Sequence, residues 1–145
     1  MAKWIYDDSN TKTVLDKLDG QTQRNIRRKM VENGSKVLVK EMQAEMEARH
    51  HVRHGWMKQS VAAGPVYEDV DGTSVEVYPQ GNDPRGVSNM MKLQMITHGY
   101  YNVDTGKAHR KKDNFIGTKF RKKCEPRIKS VMDYTLSLCM DELNK

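Results

Sequence analysis

The stretch His50–Val61, HHVRHGWMKQSV, separates a helical half of the chain from a strand-rich half. Before it, apolar residues recur at helical spacing; after it, apolar and polar residues alternate between turn residues. We expect Gly55 to end the preceding helix, because glycine adopts the left-handed conformation of a helix stop without steric cost. Trp56, Met57 and Val61 follow as apolar anchors. The stretch therefore predicts a joint that holds a long helix on a sheet.

Two segments have the apolar periodicity of long helices. The first covers residues 21–50, after an arm and short helix in residues 1–20, and the second covers residues 118–143. Gly34 interrupts the first and indicates a close contact or a bend. Pro126 either begins the second helix or kinks it. The predicted apolar stripes are Ile26, Met30, Val37, Leu38, Met42 and Met46 in the first helix, and Phe120, Cys124, Ile128, Val131, Thr135, Leu138 and Cys139 in the second.

Residues 56–100 are predicted to be rich in strands. Asp71-Gly72 is a two-residue hairpin signal between Val66–Val70 and Thr73–Tyr78. We expect Val75, Val77 and Tyr67 to share the buried face of this hairpin.

Residues 79–88 contain two prolines and two glycines and are predicted to be a loop. We expect this loop to be mobile in the isolated protein and to contact neighbouring subunits. After it, the alternation in Asn89–Thr97 predicts another strand, with Met91, Leu93 and Met95 on one face. Its expected partner is the strand Thr73–Tyr78.

The chain has 145 residues, which is enough for a single domain. The elements predict an α+β fold, with two long helices packed on a small, mainly antiparallel β-sheet of three to four short strands, with long loops. The sequence has no apolar run long enough to span a membrane and no secretory signal. Cys124 and Cys139 are predicted to be reduced and buried, as in a cytosolic protein.

Three short blocks resemble those of a family of small head–tail joining proteins of tailed bacteriophages, called neck, tail-completion or minor tail proteins. Val52-Arg53, Gly55, Met57 and Ser60-Val61 resemble the family's P-V-R-T-G-x-L-x-x-S-I block. Ile96–Tyr100 resembles its V-E-F-G-T block, and Asn114–Ile116 resembles its P-F-L block. In the first block, histidines stand at the family's proline and threonine positions. The motif residues to which we give a structural role are Val52, Arg53, Gly55, Trp56, Met57, Ser60, Val61, Gly99 and Phe115.

The resemblance implies a structural virion protein without enzymatic activity or a cofactor. It implies a homo-oligomeric ring, most simply a hexamer and otherwise a dodecamer, at the head–tail junction around the DNA channel. The partners would be neighbouring neck and tail proteins, with non-specific contact to packaged DNA and none to a membrane. The protein would be made in the cytoplasm of the bacterial host.

The net charge of +6 is concentrated in one segment. Residues 107–129 contain ten Lys or Arg and only two acids, so this segment carries +8 and the rest of the chain about −2. Such a patch binds polyanions through counterion release, without reading sequence. The residues expected at the DNA channel are Lys107, Arg110, Lys111 and Lys112; those expected at an acidic neighbour are Lys119, Arg121, Lys122 and Lys123. The alternative function is that of a small basic nucleic-acid-binding protein without sequence specificity.

Catalytic and metal-binding patterns are weak in this sequence. His50 and His54 are four residues apart and would face one side of a continuing helix, as metal ligands do. However, Gly55 follows at once, and no H-E-x-x-H pattern is present. The simpler interpretation is a polar surface loop. Without a G-x-S-x-G motif or a phosphate-binding glycine loop, we expect no enzyme.

Overall fold

The computed structural model describes residues 2–3, 15–52, 54–69, 72–98, 101–102, 107–108 and 113–145. Its helices are α1 (Gly20–Ala48), α2 (Trp56–Ser60), α3 (Asn89–His98) and α4 (Thr118–Leu143). Its strands are β1 (Ala2–Lys3), β2 (Val61–Asp69), β3 (Gly72–Pro79), β4 (Tyr101–Asn102) and β5 (Lys107–Ala108). One antiparallel sheet has the order β1-β3-β2, and β4 pairs with β5. The predicted α+β fold is confirmed. No helix in the described ranges is long and apolar enough to cross a membrane.

The two long helices are antiparallel. Near the middle of α1, Asn33 Nδ2 donates to Thr135 Oγ1 over 3.0 Å. Closer to the end of α1, Glu45 Oε2 lies 3.5 Å from the ammonium of Lys123, near the start of α4. Because α1 also packs on β2 and β3, it forms the centre of the fold.

The core lies between α1, α4 and β3, largely as the two predicted stripes require. Its members in the two helices are Ile26, Met30, Leu38, Met42, Met46, Phe120, Cys124, Ile128, Met132 and Cys139. Two predicted positions are wrong: Val131 is only half-buried and Leu138 is 46% exposed, while Met132 takes the buried place. Pro126 lies inside α4, so the helix does not begin there. A Cβ on Gly34 would lie 3.0 Å from Met132 Cε, which makes Gly34 the close contact between the helices.

The N-terminus of α1 is capped by Asp19. Its carboxylate accepts hydrogen bonds from the backbone N–H groups of Gln21 and Thr22, at 3.1 and 3.0 Å, and from the Thr22 hydroxyl. These bonds, the hydroxyl bond first, hold the pKa of Asp19 below its ordinary value. The cap satisfies two N–H groups that a helix leaves without partners, and the helix therefore begins at Gly20.

The C-terminus of α1 differs from the prediction, because Gly55 does not end it. The His51 N–H donates to the Met46 carbonyl over 2.8 Å and the His50 N–H to the Glu47 carbonyl over 3.0 Å. This pair of bonds is a Schellman motif, and His50 takes its left-handed position with φ 60°. Gly55, with φ 77°, instead precedes the short helix α2 as its N-cap.

The predicted hairpin is confirmed, with a shifted turn. Asp69 pairs with Gly72, so residues 70–71 connect the strands; these two residues lie outside the described ones. The second edge of β3 is occupied by β1 and not by Asn89–Thr97. The sheet therefore has its third strand from the start of the chain.

One face of the hairpin points to the core. Val75 and Val77 are 9% and 0% exposed, as predicted. Tyr67 is 52% exposed, so its predicted place on the buried face is wrong. Because Tyr67 pairs with Ser74, one residue out of step with Val75 and Val77, the alternation of the strand turns it away from the core.

The predicted strand Asn89–Thr97 is wrong, because these residues form α3. Methionine, leucine, lysine and glutamine favour a helix, and the two β-branched residues, Ile96 and Thr97, come only at the end of the segment. Ser88 Oγ accepts the Met91 N–H over 3.2 Å at the start of the helix. Leu93 is buried, but Met91 and Met95, predicted to share its face, are 48% and 39% exposed.

Both cysteines are free and buried, as predicted. Burial first, and the nearby Glu41 carboxylate second, raise the pKa of Cys124 to about 11. Its thiol therefore stays protonated at neutral pH and packs as a small apolar group.

Candidate functional site

A half-open cavity of about 340 Å³ lies beside the C-terminus of α1. Its walls come from the α1–α2 connection, from α2, from the loop before α3 and from α3. The lining residues are His50, His51, His54, Gly55, Trp56, Met57, Asp83, Arg85, Val87, Lys92, Met95 and Ile96. Gly55 and Met57 of the first block of the resemblance thus lie in one wall of this cavity.

Trp56 is the aromatic wall of this cavity. The His54 ring stacks on it, with centroids 4.4 Å apart and planes inclined by 22°. Arg85 Cζ and Lys92 Nζ lie 5.2 and 5.4 Å from the indole centroid, within the range of cation–π attraction. Trp56 is half-buried, whereas Met57 is only 6% exposed. Of the three predicted anchors, Met57 and Val61 are therefore buried in the core, whereas Trp56 is only half-buried at the cavity.

The cations over Trp56 are positioned by the loop of residues 79–88. Asp83 Oδ1 accepts the N–H groups of Arg85 and Val87, at 2.8 and 3.0 Å, and Oδ2 pairs with Lys92. Arg85 donates to His54 Nε2 over 3.1 Å, which requires that this ring nitrogen is unprotonated. The loop is braced by its own carboxylate, and its predicted mobility in the isolated protein stays a prediction.

The brace predicts a pH dependence. The bond from Lys92, followed by those from the Val87 and Arg85 amides, holds the pKa of Asp83 below its ordinary value of 3.8. A lowered folded-state pKa contributes stability that is present above pH 3.8 and is lost as the pH falls through the folded value. We expect amide protection in residues 79–88 to fall in that acid range. Hydrogen exchange measures it, and the matched variant Asp83→Asn should lack the acid step. Equal pH profiles in both proteins would contradict this assignment.

The three blocks of the resemblance meet next to this cavity. His51 Nε2 lies 2.7 Å from an Asp113 oxygen, and the His51 ring lies 5.2 Å from the Phe115 ring. The Asp113 N–H donates to the Ile96 carbonyl over 2.9 Å, and Arg49 Nη1 donates to its carboxylate over 3.3 Å. Asp113 thus connects three elements: its carboxylate contacts the end of α1 and its backbone N–H contacts the end of α3, while the residue itself belongs to the segment before α4.

Most motif residues have structural contacts. Val61 and Phe115 are 4% and 2% exposed, and Val52 packs on the core partly buried. Ser60 Oγ donates to the Met57 carbonyl over 2.7 Å and thereby closes the short helix α2. The remaining motif residues Arg53 and Gly99 lie outside the described residues.

The basic patch is partly neutralised from another element. Lys123 pairs with Glu45, as described above, and Arg127 pairs with Glu41. The expectation of an uncompensated patch is wrong for these two cations, because antiparallel packing brings acids of α1 beside them.

The structure describes the side chains of only some of the other basic residues. Lys119, Arg121 and Lys122 are exposed, and none forms an ion pair with any residue that the structure describes. Of the expected channel residues, Lys107 lies in β5 with only its backbone described. Residues 110–112 lie outside the described part of the chain.

The spacing of His50 and His54 does not place them on one helical face. The helix α1 ends at Ala48, and His50 has already left helical geometry. Within the described ranges, no three His, Cys, Asp or Glu side chains are grouped so as to hold a metal ion.

Sequence reasoning missed the cations over Trp56. Asp83 and Arg85 belong to a loop that was predicted to be mobile and to contact neighbouring subunits, and Lys92 belongs to the segment that was predicted to be a strand. The available signal was the spacing of Asp83 from Arg85 and Val87, which suits a side chain that bonds nearby backbone N–H groups.

Comparisons of the chain with known protein families, with curated proteins and with solved structures found no match.

Proposed function

We propose that this chain is a structural subunit of the head–tail junction of a tailed bacteriophage, a neck or tail-completion protein without enzymatic activity or a cofactor. Its copies would form a ring around the DNA channel, most simply a hexamer and otherwise a dodecamer. It would contact neighbouring neck and tail proteins in the virion after synthesis in the host cytoplasm.

The observation that carries this proposal is the meeting of the three resembling blocks at one corner of the fold. They are about 40 and about 15 residues apart along the chain, yet His51 contacts Phe115, and Ile96 receives the Asp113 N–H. Their apolar members Met57, Val61, Ile96, Phe115 and Ile116 belong to one core cluster. Three short blocks that together form one corner of the fold support an architecture shared with the resembled family better than three isolated matches would.

The role of these residues also suits an assembly protein. The contacts at this corner are packing, an aromatic pair and an ion-paired carboxylate, which hold elements together. We place the function in the surfaces around the corner, where partner subunits would dock.

A second candidate, a nucleic-acid-binding protein without sequence specificity, is favoured by one observation. Lys119, Arg121 and Lys122 project from the first turns of α4, where the helix dipole adds positive potential. A polyanion would bind there mainly through counterion release, so that added salt weakens binding steeply.

Sizing chromatography with light scattering at high salt distinguishes the two functions, together with electron microscopy of the eluted protein. We expect a closed ring, or an oligomer that grows with concentration. A protein that stays monomeric at every concentration and shifts DNA only at low salt would overturn the neck proposal and support the alternative. Imaging of an assembled particle with labelled subunits would then locate the ring at the junction.

A further inference from the structure

Two separate apolar surfaces remain exposed on the described part of the chain. The first, called here the α3 surface, consists of Trp56, Arg85, Val87, Met91 and Met95. Met91 and Met95 lie one turn apart on α3 and are 48% and 39% exposed, and Val87 is 40% exposed. Because Trp56, Val87 and Met95 also line the cavity, this surface is an apolar strip beside a concave site.

The second, called here the α4 surface, consists of Tyr134, Leu138, Asp141 and Glu142. Tyr134, Leu138 and Glu142 follow one another at four-residue spacing on α4, so they share one face of the helix. Tyr134 and Leu138 are 65% and 46% exposed, and of the two only Leu138 was predicted to belong to the core stripe. The strip ends in two exposed carboxylates, Asp141 and Glu142, ahead of Lys145.

The two surfaces lie at different levels along α1. This helix has 29 residues and is therefore about 43 Å long. His50 and His51, at its C-terminus, line the same cavity as the α3 surface. The α4 surface begins at Tyr134, level with the contact of Thr135 with Asn33 near the middle of α1, and runs towards the N-terminus of α1, because the helices are antiparallel. A copy of the chain thus carries two different apolar surfaces at different levels along α1.

The charges of the two surfaces are complementary. Lys92 is engaged by Asp83, whereas the exposed Arg85 guanidinium contacts the uncharged Trp56 and His54 rings and keeps its charge available. The carboxylates of Asp141 and Glu142 supply the opposite sign. Methionine side chains adapt to the shape of a partner, which suits Met91 and Met95 to receive a tyrosine and a leucine.

We propose that the α4 surface of one copy docks on the α3 surface of the next, with Tyr134 and Leu138 against Met91, Met95 and Val87, and with Glu142 or Asp141 at Arg85. The contact is head-to-tail, because the two surfaces differ. Repetition of such a contact closes into a ring when the rotation between copies permits it and otherwise gives a filament. This inference rests on the proposed function, since it names the surfaces through which the ring subunit would assemble.

The test uses the full chain and two variants that each remove one surface, Met91→Glu and Leu138→Glu. Both side chains are exposed, so we expect melting temperatures close to that of the parent. By light scattering, each variant alone should be monomeric under conditions where the parent is oligomeric. An equimolar mixture should form dimers and nothing larger, because one intact α4 surface and one intact α3 surface remain. Tyr67→Glu, at an exposed aromatic residue of β2 that belongs to neither surface, is the control and should assemble like the parent.

Charge reversal supplies a second arm. Arg85→Glu and Glu142→Arg should each weaken association at least tenfold, and the double variant should recover most of that loss at low salt. Variants that assemble like the parent, or monomeric variants whose mixture stays monomeric, would overturn the pairing of surfaces. If rings persist in both single-surface variants, the inference fails and the ring function stands. If mixing gives dimers while the parent forms only open filaments, the inference stands and the ring function fails.

Discussion

Met57→Ala is expected to lower the free energy of unfolding by about 2–5 kcal/mol, the usual cost of truncating a buried methionine. Met57 is 6% exposed and belongs to the central core cluster, together with residues of α1, α3 and β3. It lies in α2, the only regular element between the end of α1 and β2. Its loss would therefore leave a cavity where the helical half joins the sheet.

The neighbouring Trp56→Ala is the matched comparison. Truncation of a fully buried tryptophan to alanine lowers the free energy of unfolding by about 3–5 kcal/mol. Trp56, however, is only half-buried, and three of its ring contacts are with polar side chains. We expect its cost to be clearly smaller than that of Met57→Ala. Urea unfolding followed by circular dichroism compares the two variants. The reverse order of stabilities would show that the indole, and not Met57, holds the joint.

Gly34→Leu is the second substitution with a large expected effect. Gly34 is buried where α1 meets α4, and a Cβ there would lie 3.0 Å from Met132 Cε and 3.4 Å from Ile128 Cγ2. A leucine would push the helices apart or force strained rotamers, which costs about 1–3 kcal/mol or more. Thermal unfolding should show the loss directly.

Gly34→Ala is its control and should behave differently. Alanine is better than glycine inside a helix by about 1 kcal/mol, and only the flexible end of Met132 must move to admit one methyl group. We expect a stability within about 1 kcal/mol of the parent. If leucine is tolerated as well as alanine, the close approach of the two helices at Gly34 is wrong.

The long helices could be predicted because their apolar residues repeat at helical spacing over many turns. In α1, Ile26, Met30 and Met42 show this spacing, whereas the cap by Asp19, with the helix beginning at Gly20, was not predicted. In α4, apolar residues at the same spacing favour a helix that continues through Pro126. The proline lacks an N–H and therefore leaves only one carbonyl without its helical hydrogen bond. Periodicity over more than twenty residues leaves little room for another structure.

The secondary structure of residues 89–97 could not be predicted from the spacing of their apolar residues. Met91, Leu93 and Met95 alternate as a strand requires, while Asn89, Leu93 and Ile96 also fit a helical face. A segment of nine residues satisfies both periods. Two interactions across the loop favour the helix, namely Ser88 bonding the Met91 N–H and Lys92 reaching Asp83. Lys92, one of the two cations over Trp56, belongs to this helix, and Arg85 belongs to the loop before it, so the candidate site could not be predicted either.

The contact between α1 and α4 joins residues 102 positions apart, as Asn33 and Thr135 show, and this has a consequence for synthesis. On the ribosome, the methionine-rich face of α1 emerges well before the helix that covers it. At a translation rate of about 5–20 residues per second, about 5–20 s pass between the synthesis of that face and the synthesis of the part of α4 that covers it. The nascent protein therefore exposes this apolar face for much of its translation. We expect its yield in cells to depend on chaperones that bind such apolar surfaces, and to depend on them more strongly than on the stability of the folded protein.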